Sequence, residues 1–218
     1  MSPRPSNSAT RSSLIDIAAR LLAEEGPQAL STRRIAGRAG SSTMAVYTHF
    51  DGMSGLVRAM VREGFVRLQE HLTCVKPTDD PVADIAMLGR AYRRNALANP
   101  HLYAVMFGGC SIAGFSLTDD DRQHGRYTLH NVVECTTRCM GMGRFRPADA
   151  ELVAHRMWGT LHGLVTLELG GYLVEPYPAD RCFEDQLVGL VVGAGDNPQS
   201  AAQSVALSRD RLPDELAS

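Results

Sequence analysis

Between Leu14 and Phe50 the chain carries three short helical patterns separated by glycine-marked breaks, a spacing that leaves few folds open. Leu14, Ile17, Ala18, Leu21 and Leu22 recur at i, i+3, i+4, i+7 and i+8, so a first helix has one apolar face. Gly26-Pro27 ends it, because glycine suits the C-terminal cap and proline cannot continue the helix. Ser31 is placed to cap a second helix that turns Ile35, Ala36 and Ala39 inward. Gly40 stops that helix at a reversal requiring positive φ. Ser42 is placed to cap a third helix, Thr43 to about His49, with Val46 and Phe50 inward. Asp51-Gly52 is a turn, and a long helix is predicted from about Met53 to Cys74. Small Ala36 and Ala39 allow close approach, which is the spacing of a helix-turn-helix.

The rest of the chain is also predicted to be helical. Pro77 and Pro81 bracket a linker. Helices are expected over about Val82–Ala98, Leu102–Phe107, Asp119–Met142, Pro147–Tyr172 and Arg181–Val192, with a glycine loop at Gly108, Gly109 and Gly114. No segment alternates apolar and polar residues long enough for a strand, so the fold class is all-α. Residues 1–9 and 195–218 are polar or small; the first are expected to be a disordered arm and the last a flexible tail or a frayed helix.

Charge is unevenly distributed. The net charge of the 218 residues is −2. Residues 1–50 nevertheless hold six arginines (4, 11, 20, 33, 34, 38) against Asp16, Glu24 and Glu25, which leaves +3 there and −5 in the remainder. A basic N-terminal piece on an acidic body suits a local polyanion contact. No apolar run reaches the ~18–20 residues of a membrane span, and no apolar signal core opens the chain. Five cysteines without a CxxC pair fit a reducing cytoplasm, so a cytoplasmic location and no membrane partner are expected.

The segment LSTRRIAGRAGSSTMAVYTHFDGMSGLV, residues 30–57, resembles the N-terminal domain of TetR/AcrR-type transcriptional regulators. The match runs through Ser31, Arg33, Ile35-Ala36, Ala39-Gly40, Ser42, Val46-Tyr47, His49-Phe50 and Leu56. It implies a DNA-binding domain over residues 10–52 and a helical effector-binding and dimerisation domain over 53–194. The partners implied are a double-stranded DNA operator, a small-molecule effector and a second copy of the chain. Repression relieved by the effector is the family's default, and an activator of the same fold would look identical in sequence.

The residues at the start of the second helix suit backbone contact. Ser31, Thr32, Arg33 and Arg34 cluster where free N–H groups and a partial positive charge favour a phosphate. Ser42, Thr43, Met44 and Thr48 on the third helix are candidates for base edges, where Thr and Met pack on thymine methyls. Tyr47 and His49 reach phosphates by the resemblance, contacts that fix register rather than sequence. Packing for Tyr47, a helix C-cap for His49 and a solvated surface charge for Arg34 are the competing readings. The family usually has lysine where Met53 stands, so one phosphate contact is expected to be missing.

In the body, MWGTLHGLVTLELGGYL, residues 157–173, resembles the Trp-His-Gly segment of a TetR C-terminal subfamily through Trp158, His162 and Gly163. Expected pocket residues are Met87, Tyr92, Tyr103, Met106, Phe107, Phe115, His130, Trp158 and His162, although each also suits plain core. Many methionines and several aromatics suit an apolar or aromatic effector. Gly159, Gly163, Gly189 and Gly193 would let the last two long helices pack in a dimer bundle. Two rival classes are an enzyme and a non-DNA ligand-binding module; the enzyme reading rests on Cys135 and Cys139 at i, i+4 with His130 nearby. Buried small hydrophobes explain that pair more simply. No GxSxG, HExxH, P-loop or Rossmann fingerprint occurs, and no cofactor or metal is expected.

Overall fold

A computed structural model describes residues 7–107 and 117–212. Ten α-helices and no strands occur among the described residues. They are α1 (Asn7–Glu25), α2 (Thr32–Arg38), α3 (Thr43–Phe50), α4 (Met53–Thr73), α5 (Pro81–Ala98), α6 (Pro100–Met106), α7 (Asp119–Gly141), α8 (Ala150–Leu169), α9 (Ala179–Ala194) and α10 (Pro198–Asp210). The chain divides into two compact units, one of residues 1–67 and 99–125, the other of residues 68–98 and 126–218.

The first unit is built on α1. Leu14, Ala18, Leu21 and Leu22 are buried as the spacing predicts, but Ile15 and Ala19 join them and Ile17 is only half-buried. The buried face is therefore wider than the predicted stripe, because α1 packs against both α2 and α6. A 3-10 turn, Pro27–Ala29, follows the break at Gly26. Residues 99–125 cluster with this unit. Phe65, Tyr103 and Phe107 form an edge-to-face cluster here, with centroids 5.8 Å (Phe65–Phe107) and 5.3 Å (Tyr103–Phe107) apart. Arg58 reaches the buried Asp121 carboxylate at 3.2 Å, and Thr118 donates to the same carboxylate from its amide and hydroxyl.

The second unit is organised around α5, which is buried from Pro81 through Tyr92 and again at Asn95 and Ala96. A helix buried on all sides must satisfy every charge it carries. Asp84 accepts from Thr78, Arg138 and Arg211, and Arg90 pairs with Glu184 while donating to Ser208 and the Val205 carbonyl. Two expectations about the ends are corrected. Asn7–Ala9 are the first residues of α1 rather than part of a disordered arm, and residues 1–6 lie outside the described residues. Pro198–Asp210 form α10 rather than a flexible tail. Asn197 caps α10, whose buried Ala201, Ser204, Val205 and Ser208 lie against α5 and α9. That helix is stabilised by tertiary pairing, which its weak apolar periodicity did not announce.

Candidate nucleic-acid interface and effector cavity

The reading surface is built from α2, α3 and the turn between them. Ser31 has extended backbone angles and its hydroxyl accepts from the Arg34 amide at 3.3 Å, so it caps α2. Gly40 has φ +59°, and the Ser41 and Gly40 amides donate back to the carbonyls of Ala36 and Gly37. This is the Schellman arrangement, which needs a residue free to adopt positive φ. Ser42 precedes α3 in extended conformation but its side chain makes no capping bond.

Along α3, Val46 and Phe50 are buried. Thr43, Met44, Tyr47 and Thr48 are exposed, with Met44 at 67% and Tyr47 at 54%. Their i, i+3, i+4 spacing puts them on one helix face. The Thr48 hydroxyl donates to the Met44 carbonyl at 2.9 Å, which turns its donor back onto the helix. His49 is half-buried beside Phe50, and the cap falls on Asp51, at φ 55°. Gly55 fixes how closely α4 follows α3: a Cβ there would lie 1.7 Å from the Phe50 carbonyl oxygen.

The three arginines of α2 are not equivalent. Arg33 is exposed and has no ion pair among the described residues. Arg34 and Arg38 share one carboxylate, Glu25 at the end of α1: Arg34 Nη2 contacts Oε2, and Arg38 Nη2 contacts Oε1 at 3.2 Å. The exposed-charge reading of Arg34 is therefore incomplete. Thr32 is half-buried at the start of α2.

The second unit holds a partly open cavity of about 50 Å³. Leu68 and Leu72 line it from α4, and Ile85, Leu88, Gly89 and Tyr92 from α5. Thr128, Leu129 and Val132 come from α7, Met157, Trp158 and Leu161 from α8, and Leu187, Leu190 and Val191 from α9. No charged side chain is among these residues. Tyr92 Oη lies 3.0 Å from His162 Nδ1, and the Trp158 and His162 rings are 6.2 Å apart. Burial pushes the His162 pKa below its ordinary value, so the ring is neutral at pH 7.

Of the nine expected pocket residues, Tyr92 and Trp158 line the cavity and His162 stands behind Tyr92. Met87 is fully buried on α5 without lining it. Tyr103, Met106 and Phe107 belong to the first unit, where Tyr103 and Met106 are buried and half-buried Phe107 packs on the Tyr103 ring. His130 is exposed, 3.1 Å from Glu134, and Phe115 lies outside the described residues. The lining leucines went unnoticed because a wall residue and a core residue have the same periodicity. Only packing decides where space is left.

Gly159, Gly163, Gly189 and Gly193 are all exposed, with open space where a Cβ would be. Cys135 and Cys139 are buried; desolvation drives the Cys135 thiol up to about 12 and the Cys139 thiol higher still. Buried, protonated thiols are poor nucleophiles and poor metal ligands. Among the described residues no helix is long and apolar enough to cross a membrane.

Known proteins resemble this chain over both units. The family model for bacterial regulatory proteins of the tetR family matches residues 14–60, and that for a tetracyclin repressor-like C-terminal domain matches residues 85–190. An uncharacterized HTH-type transcriptional regulator of Mycobacterium tuberculosis, Rv0681, is 25% identical over 187 residues, covering 84% of this chain and 81% of that protein. A structure of a protein with unknown function from Rhodococcus sp. RHA1 is 29% identical with TM-score 0.72, covering 88% of this chain and 97% of its own. The TetR family transcriptional regulator PfmR from Thermus thermophilus shares the fold at 19% identity and TM-score 0.67, covering 84% of this chain and 99% of its own.

Proposed function

The chain belongs to the TetR family of DNA-binding transcriptional regulators, and on that premise we propose that it is a ligand-responsive repressor acting as a homodimer in the cytoplasm. The observation that carries the DNA-reading assignment is the exposed face of α3. A helix of eight residues that leaves Met44 and Tyr47 in solvent keeps apolar surface that its own core does not use. In the major groove, Thr43 and Met44 meet base edges, the Thr48 methyl packs on thymine, and Tyr47 and His49 reach phosphates. Ser31, Thr32, Arg33 and the start of α2 clamp the backbone, and exposed Ser42 before α3 offers its hydroxyl to the DNA.

One such unit reads few base pairs, so two must act together. A two-fold dimer places its reading helices roughly 34–36 Å apart, one DNA turn. The open glycine faces of α8 and α9 suit close packing against the same helices of a second copy. The cavity walls are apolar apart from Tyr92, Thr128 and the Trp158 indole N–H, which suits an uncharged apolar or aromatic effector, and the space must widen between its lining helices to admit one. Leu68 and Leu72 carry its occupancy onto α4, whose first turn continues from α3. An effector that binds the two α4 positions unequally changes the spacing of the reading helices, by a coupling of typically ~1–3 kcal/mol.

Fluorescence anisotropy on the DNA upstream of the protein's own coding sequence tests this reading. Binding over random DNA by roughly 10³ or more is expected. Arg33→Ala and Tyr47→Ala should abolish it while thermal unfolding stays native. DNA affinity that survives both substitutions would show that the reading surface lies elsewhere. A bound effector that leaves operator affinity unchanged would exclude ligand-responsive repression.

A further inference from the structure

Arg34 and Arg38 lie one turn apart on α2 and grip a single anion that presents two oxygens. That anion is the Glu25 carboxylate, with one oxygen on each guanidinium. A DNA phosphate offers the same chemistry, two unesterified oxygens carrying one negative charge. All three side chains are partly exposed, so the pair is accessible to an incoming phosphate. The position of Glu25 carries a further sign. It ends α1, where carbonyls point outward and a carboxylate is unfavourable against the helix dipole. Local helix energetics therefore do not explain a charge there, whereas the two arginines do.

We propose that Glu25 is an internal phosphate mimic that sets the sequence-independent affinity of this protein for DNA. In the free protein and on random-sequence DNA it holds Arg34 and Arg38, so neither neutralises a backbone phosphate unless Glu25 is displaced or removed. The proposal rests on the reading above that the start of α2 faces the DNA backbone. It explains how a unit carrying a cluster of arginines avoids strong capture by bulk DNA. Arg33, without such a partner, makes its phosphate contact without this competition.

The test compares the native protein with Glu25→Gln on a random-sequence duplex by fluorescence anisotropy, between about 50 and 200 mM salt. Each guanidinium released to a phosphate steepens the slope of log affinity on log salt by about 0.9. Two per protomer, four in the homodimer, make Glu25→Gln bind tighter at low salt, with an advantage that shrinks about 150-fold across that range. One arginine per protomer shrinks it about 12-fold. The gain should vanish when Arg34→Gln and Arg38→Gln are added, which ties it to those side chains. Parallel salt slopes, or weaker binding by Glu25→Gln, overturn the proposal and make Glu25 a residue that orients the arginines. Gain that persists without the arginines overturns it as well. Absence of DNA binding by native and variant alike refutes the placement of α2 on DNA, and the proposal falls with it. Matching unfolding temperatures for the two proteins confirm that the comparison reports on charge rather than folding.

Discussion

Replacing Gly55 with alanine should open the junction between α3 and α4. The added Cβ would sit 1.7 Å from the Phe50 carbonyl oxygen and 2.9 Å from its carbon, whereas ordinary contact begins at 3.4 Å. The oxygen must retreat by about 1.7 Å, and a backbone atom cannot rotate aside as a side-chain end does. Phe50 anchors the end of α3 in the core, and Asp51 at φ 55° and Gly52 at φ +97° already use the freedom of the turn. Alanine gains about 1 kcal/mol in helix propensity over glycine. Overpacking costs about 1–3 kcal/mol and more where the clash is with backbone. A net loss of roughly 2 kcal/mol lowers Tm by about 4–8 °C for a chain of this size. Circular dichroism melting measures it, and DNA binding should weaken with it because the pitch of α3 changes. Gly141→Ala is the internal control: nothing lies within 4 Å of the Cβ it would add at the end of α7. Gly141→Ala should leave Tm no lower than native. Native Tm and native DNA affinity in Gly55→Ala would refute the assigned geometry.

Three further outcomes follow from the second unit. Burial lowers the His162 pKa, so its stabilising contribution is complete above the unfolded value of about 6.5 and is lost as pH falls through the native value. The native protein should therefore lose Tm below pH ~6.5 faster than His162→Gln does, and parallel curves would show that the ring is not desolvated. Site-resolved labelling with a thiol reagent should modify exposed Cys74 in the folded protein and Cys135 and Cys139 only after unfolding. Rapid native labelling of either buried thiol would contradict their packing. Gly163→Leu and Gly189→Leu should leave the helical content intact, because each faces open space, yet raise the dimer dissociation constant in sedimentation equilibrium. Unchanged dimerisation would place the subunit contact on other helices.

Much of the DNA-reading unit is local, and local chemistry is legible in sequence. The Ser31 cap, the Gly40 turn, the buried pair Val46 and Phe50 and the exposed Met44 and Tyr47 each depend on residues within a turn or two. Glycine at a forced positive φ and serine at a helix start have one physical meaning wherever they occur. The helical class of the whole chain follows from periodicity in the same way. What depended on residues far apart did not show. Glu25 reaches Arg38 across 13 positions, and Arg211 reaches Asp84 across 127. The pairing of Arg34 and Arg38, and the ordering of α10, were accordingly invisible in one dimension. The cavity is the extreme case: Met87 and Leu88 are adjacent apolar residues on one helix, and only Leu88 faces the space. A void is what several elements jointly fail to fill, so it has no signature in any one of them. Local propensity determined most of the helices, and tertiary packing decided the ordering of α10 and which side chains remain free to meet a ligand or a phosphate.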